Sequence, residues 1–328
     1  MTSKNTEFLL AYRYLKGIGK KYLNSLAFEA ARTNTSVQDC FEYGKLNEYS
    51  SEDIDAALNK ANEQVKIAEQ LGHTIISRLD TSYPAALKVI PDAPPILFCH
   101  GNLDLLSEDI ITIIGTRSPT RHGIAIADRV TKWFASHGWV IASGLAKGID
   151  TVAHESCLEV EGKTISVLAH GLEKIYPVQN KELAKNIAKN GGLLISEYSY
   201  NSYVGKANFV ERDRIQAALA KAVVLVQSDL HGGSLHASRA SLNYDRFLIV
   251  LGQSQRDVMA KEGKISANIM LLEGSDEEKA NLLRITKRKL DKVLVVPDKQ
   301  HLDYVSGIIK NISFNLETEE SGNNIDLF

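Results

Sequence analysis

Two strand-to-helix junctions of the same build lie between Ile110 and His154, and together they commit the chain to parallel strands. In the first, Ile110-Ile111-Thr112-Ile113-Ile114 runs into Gly115-Thr116-Arg117-Ser118-Pro119, and helical spacing begins near Gly123. In the second, Trp139-Val140-Ile141-Ala142 runs into Ser143-Gly144-Leu145-Ala146-Lys147-Gly148-Ile149-Asp150, and a helix continues through His154. A short β-branched run suits a strand covered on both faces. The glycine loop then delivers the chain into a helix whose first N–H groups lack intrahelical partners. Those amides and the helix dipole favour an anion. With Arg117 in one loop and Lys147 in the other, the pair predicts a surface for more than one phosphate. Neither loop reads GxGxxG or GxxxxGK[ST], so neither standard nucleotide fingerprint applies.

The rhythm continues downstream. Strand-like cores begin near Ile110, Trp139, Thr164, Leu193, Ala222 and Arg246, with a helical pattern in every gap. Such spacing fits right-handed βαβ crossovers and a mostly parallel sheet covered on both sides. The predicted class is α/β, an extended Rossmann-like sheet behind a small N-terminal helical domain of helix-hairpin-helix or SAM-like type. The expected divisions are 1–70 for the helical domain, 71–300 for the Rossmann domain and 301–328 for an extension with an acidic, disordered tail. Within 1–70, Leu15-Lys16-Gly17-Ile18-Gly19-Lys20-Lys21 separates amphipathic segments, a turn able to contact a DNA phosphate or simply to join two helices. The proline-rich stretch 73–106 reads as a connector laid along a sheet edge. Val293-Leu294-Val295-Val296 predicts a last strand after a charged helix over 276–292.

A net charge of −2 supplies no global attraction for nucleic acid, so binding requires a local patch. One exists: between Arg117 and Ile149 the cations Arg117, Arg121, Arg129, Lys132 and Lys147 face only Asp128. Cys40, Cys99 and Cys157 form no CxxC pair, which argues against a zinc site or disulfide framework and for a reducing, cytoplasmic setting. No apolar run approaches the ~18–20 residues of a membrane span, so no membrane association is expected.

The later loops add candidates. One is His170-Gly171-Leu172-Glu173-Lys174-Ile175-Tyr176-Pro177 with Asn180; others are Glu211-Arg212-Asp213-Arg214 and His231-Gly232-Gly233-Ser234. The expected phosphate-binding set is Gly115, Thr116, Arg117, Ser143, Gly144, Ala146, Lys147, Gly148, Gly171, Arg212, Arg214, Gly232, Gly233 and Ser234. Arg212 and Arg214 could equally pair with Glu211 and Asp213. Ser143 and Ser234 suit anion-binding hydroxyls, since no His–Asp partner of a nucleophile is identifiable. Asp150 and His154 share a helix face and are expected to brace the loop; no metal, cofactor or catalytic residue is predicted. Tyr198, Tyr200, Tyr203 and Phe209 either stack on bases, as single-strand binders require, or pack.

The ordered series Tyr83-Pro84, Pro94-Pro95-Ile96-Leu97-Phe98, Gly101-Asn102-Leu103, Gly115-Thr116-Arg117, Ser143 to Asp150, His154, Gly171-Leu172, Tyr176-Pro177 and Ser196-Glu197 resembles the DprA/Smf DNA-processing family. That resemblance implies a single-stranded DNA-binding protein rather than an enzyme. It further implies a dimer that assists the recombinase RecA during transformation. The chain departs from the family where Glu211-Arg212-Asp213-Arg214 stands for Arg-x-Asn-Arg. It departs again at Gly232-Gly233-Ser234-Leu235-His236-Ala237, and no family pattern follows Gln253. Two alternatives remain open: a nucleotide-binding enzyme or sensor of the phosphoribohydrolase type, disfavoured because 232–241 contains no Glu, and an anti-phage or mobile-element component. The final Ile325-Asp326-Leu327-Phe328 resembles peptides captured by sliding clamps, which makes a clamp a candidate partner through Ile325, Leu327 and Phe328.

Overall fold

The structure, a computed structural model, describes residues 2–45 and 48–314. The chain begins with α1 (Lys4–Tyr12), α2 (Lys20–Thr33), α3 (Val37–Gly44) and α4 (Ser51–Leu71). Ser36 with Asp39, and Ser50 with Asp53, form capping boxes that satisfy the first amides of α3 and α4. Gly17, in a left-handed conformation, and Gly19, the residue capping α2, make the turn between α1 and α2.

Nine strands then form one sheet: β1 (Thr74–Ser77), β2 (Ile96–Gly101), β3 (Ile110–Ile114), β4 (Val140–Ser143), β5 (Thr164–Leu168), β6 (Leu193–Ser196), β7 (Ala222–Leu225), β8 (Phe247–Leu251) and β9 (Val293–Val296). Their spatial order is β1-β2-β6-β5-β4-β3-β7-β8-β9. Every pairing from β6 to β9 is parallel, and β1 and β2 are added antiparallel at one side. The helices between strands are α5 (Ala85–Lys88), α6 (Arg121–Ser136), α7 (Ile149–Glu159), α8 (Lys181–Lys189), α9 (Lys206–Leu219) and α10 (Ser234–Asn243). After β8 come α11 (Gln255–Met259), α12 (Ser266–Glu273) and α13 (Asp276–Leu283), and after β9 comes α14 (Leu302–Lys310).

Strand alternation sorts the core. Ile111, Ile113 and Ile141 pack with Phe134 of α6, Ala153 of α7 and Val305 and Ile309 of α14. Ile114, Val223 and Leu225 point the other way, toward Ala217 of α9, Leu235 of α10 and Leu271 of α12. The N-terminal helices share their apolar interior with the sheet: Leu9, Leu23, Phe41 and Ala61 form one cluster with Phe98, Leu168, Leu194 and Tyr200.

Three readings need correction. The 73–106 stretch is no mere connector, because β1 and β2 lie in it; Pro84, Pro91, Pro94 and Pro95 all fall between these strands, so both keep their ladder amides. The charged segment 276–292 is not one helix: Arg284 adopts a left-handed conformation that ends α13, and a 3₁₀ turn spans Lys287–Lys292. The division at residue 300 separates α14 from the core on which it packs. Residues Ile325, Leu327 and Phe328, with the acidic tail, lie outside the described residues.

Candidate nucleic-acid interface

β4 flanks β3 on one side and β7 flanks it on the other, so the winding reverses between β3 and β7. In doubly wound sheets the ligand crevice opens beyond the carboxyl ends of the strands at this point. The loops 115–120, 144–148 and 226–233 border it.

The first two loops are locked to each other and to the third. The Thr116 amide donates to the Gln227 carbonyl at 2.8 Å, and the Ile149 amide donates to the Thr116 carbonyl at 3.2 Å. Gly148, at φ +80°, presses against this junction; a Cβ there would stand 2.6 Å from the Arg117 carbonyl carbon. Only glycine tolerates both the dihedral and the contact. Arg117 and Lys147 therefore emerge from touching stretches of backbone. Both side chains are exposed, and neither has an ion-pair partner among the described residues.

Aromatic surface adjoins them. The Arg117 guanidinium lies 5.8 Å from the centre of the Phe209 ring, within cation–π range. Phe209 in turn meets Tyr176 edge-on at 5.5 Å, and Tyr176 is 55% exposed. Lys206 opens α9 one turn before Phe209 and is also exposed. The other aromatic candidates diverge. Tyr200 is in the core, Tyr198 donates its hydroxyl to Glu211, and Tyr203 is solvent-exposed. Tyr176 was not legible as a site residue; its position in a loop following β5 was the available signal.

Several expected phosphate ligands are committed elsewhere. The amides of Gly144 and Ala146 donate to Asp150 Oδ2 at 3.2 and 3.3 Å, so the loop's own carboxylate occupies the cradle foreseen for an anion. The Thr116 amide is used as described. Ser143 is buried and donates its hydroxyl to the Ile113 carbonyl at 2.7 Å. Ser234 donates to the Ser228 hydroxyl, and the Gly232 amide to the Asp229 carbonyl. Gly171 is buried against Glu173 and Ser199, and half-buried Gly115 abuts Ile149. Gly233 alone of these loop glycines faces open space. His154 braces no loop: its Nδ1 bonds the Thr164 hydroxyl of β5 at 2.7 Å. Burial, then the nearby Arg212 charge, push its pKa down to about 3, which keeps it neutral. Asn180 instead supports the second loop, donating to the Leu145 carbonyl at 2.8 Å and the Thr151 hydroxyl at 2.9 Å.

The paired arginines of α9 are interior groups. Arg212 is 3% exposed and donates through Nη1 to the Gly144 and Val167 carbonyls, both at 2.6 Å. Its Nε lies 3.3 Å from Asp213 Oδ1. Arg214 Nη2 bonds the buried Glu197 carboxylate at 2.7 Å, and Nε lies 3.5 Å from Asp92. Neither is left to contact a phosphate. Lys20, at the Gly17–Gly19 turn, reaches the same Glu197 at 2.9 Å and Glu211 at 3.4 Å. The turn proposed for DNA thus docks its lysine on the sheet domain.

Below Arg117 the floor is acidic. Burial raises the Asp150 carboxyl above its usual range, opposed by Arg212 and the two loop amides. Burial also raises Asp213, to about 7; the Asp150 charge adds to this, and Arg212 and Arg117 oppose it. Among the described residues no group of three or more His, Cys, Asp or Glu could hold a metal, and no helix is long and apolar enough to cross a membrane.

A doubly wound, mostly parallel sheet with helices on both faces defines a Rossmann-like α/β protein. Residues 74–272 match the DNA recombination-mediator protein A family, and the chain belongs to that family. It is 32% identical over 274 residues to Protein Smf of Synechocystis, covering 80% of this chain and 68% of that protein. It is 38% identical over 179 residues to the DNA processing protein DprA of Bacillus subtilis, covering 54% of this chain and 60% of the relative. Two solved structures are similar at 27% identity. DNA processing protein A from Streptococcus pneumoniae has a TM-score of 0.61 over 83% of this chain and 99% of its own. The Helicobacter pylori protein, solved for its single-stranded DNA binding mode, has a TM-score of 0.58 over 74% and 97%.

Proposed function

We propose that the chain binds single-stranded DNA across the carboxyl ends of β3, β4 and β7. The observation that carries this reading is the juxtaposition of two unpaired cations, Arg117 and Lys147, with a ring pair made of half-buried Phe209 and exposed Tyr176. Arg117 offers a planar fork and Lys147 a point charge to phosphates. The rings offer faces on which bases stack whatever their sequence. Duplex bases, already stacked on each other, have no face free for Phe209. The Helicobacter pylori relative's single-stranded DNA mode supports the same reading.

The chain acts here as a binder, not a catalyst. Its crevice serines bond a main-chain carbonyl and another serine, with no histidine base attached. The family setting extends the proposal to a cytoplasmic recombination mediator that assists RecA and self-associates. The exposed Leu230, Val258 and Met259 offer an apolar face for a second copy. Sedimentation across protein concentration tests that face.

Counterion release gives the central test. Single-strand affinity should fall with log salt at a slope of about −0.7 per neutralised phosphate. R117A/K147A should bind more weakly with a slope shallower by about 1.4, two phosphates' worth. Undiminished binding by this variant overturns the assignment.

A further inference from the structure

We propose that the outer ridge formed by α10 and the carboxyl end of α13 is a second phosphate-binding surface, which receives the nucleic-acid backbone leaving the crevice past Gly233. The proposal rests on the single-stranded DNA reading above and names the path of the strand beyond it. α10 begins at Ser234, directly after the loop that borders the crevice. His236 lies in its first turn, and Arg239 stands three residues on, on the same helix face. Arg239 is fixed in place: its Nε donates to the Leu283 carbonyl at 2.6 Å, at the end of α13. No hydrogen bond to a described residue uses its Nη1 or Nη2. The next residue, Arg284, is exposed and caps α13 in a left-handed conformation.

Arg239 and Arg284 form a pair of cations with no ion-pair partner among the described residues, beside a histidine that they and burial keep neutral. His236 feels the charges of both Arg239 and Arg284, which add to burial in holding its pKa low. Arg239 is likewise held below the usual guanidinium range by burial and then by Arg284. No carboxylate acts on either, and neither arginine has an ion pair among the described residues. Capping of α13 accounts for Arg239 Nε alone. It does not account for a second arginine, Arg284, brought against it at a Coulombic cost. The positive surface continues through Arg288 and Lys289, the latter anchored to Asn243 at the end of α10, while Lys287 is paired with Glu277 at 3.7 Å. A phosphodiester is the anion that fits, because its charge recurs along a strand and Arg239, Arg284 and Arg288 recur along the ridge.

The experiment compares the full-length chain with R239Q/R284Q, using labelled oligothymidines of increasing length titrated over a range of salt. Wild-type affinity should keep rising with length, whereas R239Q/R284Q should match it on the shortest oligomers and level off several-fold weaker on long ones. The salt slope on long oligomers should be shallower by about 0.7 for each phosphate lost. H236Q/R284Q, which removes no hydrogen bond to a described residue, guards against misfolding of the first variant and should show a length-dependent loss of the same kind, smaller because one charge is removed instead of two. Variants that track wild type at every length overturn the ridge. R117A/K147A, run alongside, tests the crevice separately: undiminished binding of short oligomers overturns the crevice reading. No binding by the wild-type chain at any length removes both.

Discussion

The cations of α9 and those of the crevice loops look interchangeable in sequence, yet the fold uses them in opposite ways. Arg212 and Arg214 lie within the structure, bonded to carbonyl and carboxylate oxygens of the protein itself, with Arg214 Nη1 buried and unbonded. Arg117 and Lys147 stand in solvent with no carboxylate bonded to them. The difference comes from where each backbone runs. α9 passes beneath the loops, so its side chains meet the main-chain carbonyls of Gly144 and Val167, while the loop residues sit above the last sheet bonds. One set builds the mouth of the crevice and the other is left to bind.

The sharpest way to break this comparison is to remove Arg212. Arg212→Ala strands two buried carbonyls and leaves Asp213 and Asp150 without their nearest cation. Losing one partner of a buried charged network typically costs about 3–5 kcal/mol. A large fall in the denaturation midpoint is expected, against an unchanged midpoint for R117A/K147A. An Arg212→Ala protein that keeps its stability but loses DNA would reverse the roles assigned here.

A smaller effect is expected at Phe209. Phe209→Ala removes the ring beside Arg117 and leaves every cation in place. Base stacking on an aromatic is worth about 1–3 kcal/mol by alanine substitution, so affinity should fall while the salt slope stays as in wild type. A change of slope with no loss of affinity would mean that the ring only positions Arg117. Gly144→Ala probes the building side, because its Cβ would collide with the Arg212 guanidinium. Its expected signature is lost stability, read by thermal melting, with no separate effect on the salt slope.

The parallel sheet and its repeating helices were legible because β-branched runs recur at crossover spacing and the proline-free interior leaves the ladders intact. β1 and β2 were obscured by neighbouring prolines that fall between the strands. Arg117, Lys147 and the bracing Asp150 could be read from their loops, since local chain direction places them. Which groups already satisfy one another could not. The Gly144 and Ala146 amides look free in sequence, and only the return of α7 brings the Asp150 carboxylate onto them. Arg212 reaches Val167 across 45 residues, and Phe209 meets Tyr176 from a separate loop. Such pairings depend on packing between elements and have no sequence period.

Asp213 gives the subtlest separation of the two sets, because it belongs to the building side yet acts on the binding side. Its pKa, raised to about 7 by burial and the Asp150 charge, places its titration in the working range. Above that pH a negative charge stands near Arg117 and opposes an incoming phosphate; below it the carboxyl is neutral. Single-strand affinity should therefore rise as pH falls through 7, by an amount on the order of 1 kcal/mol for one charge a few ångströms off in a wet site. Asp213→Asn should bind as tightly at pH 8 as wild type does at pH 6, with the pH step abolished. Stability follows the same proton. A carboxyl whose folded pKa lies above its unfolded value of 3.8 binds more protons when folded, so its contribution to stability declines as pH rises from about 4 to about 7. Asp213→Asn should accordingly gain stability relative to wild type over that window and hold the gain above it. A flat binding profile in wild type, with Asp213→Asn indistinguishable from it, would show that the floor of the crevice does not reach the ligand electrostatically.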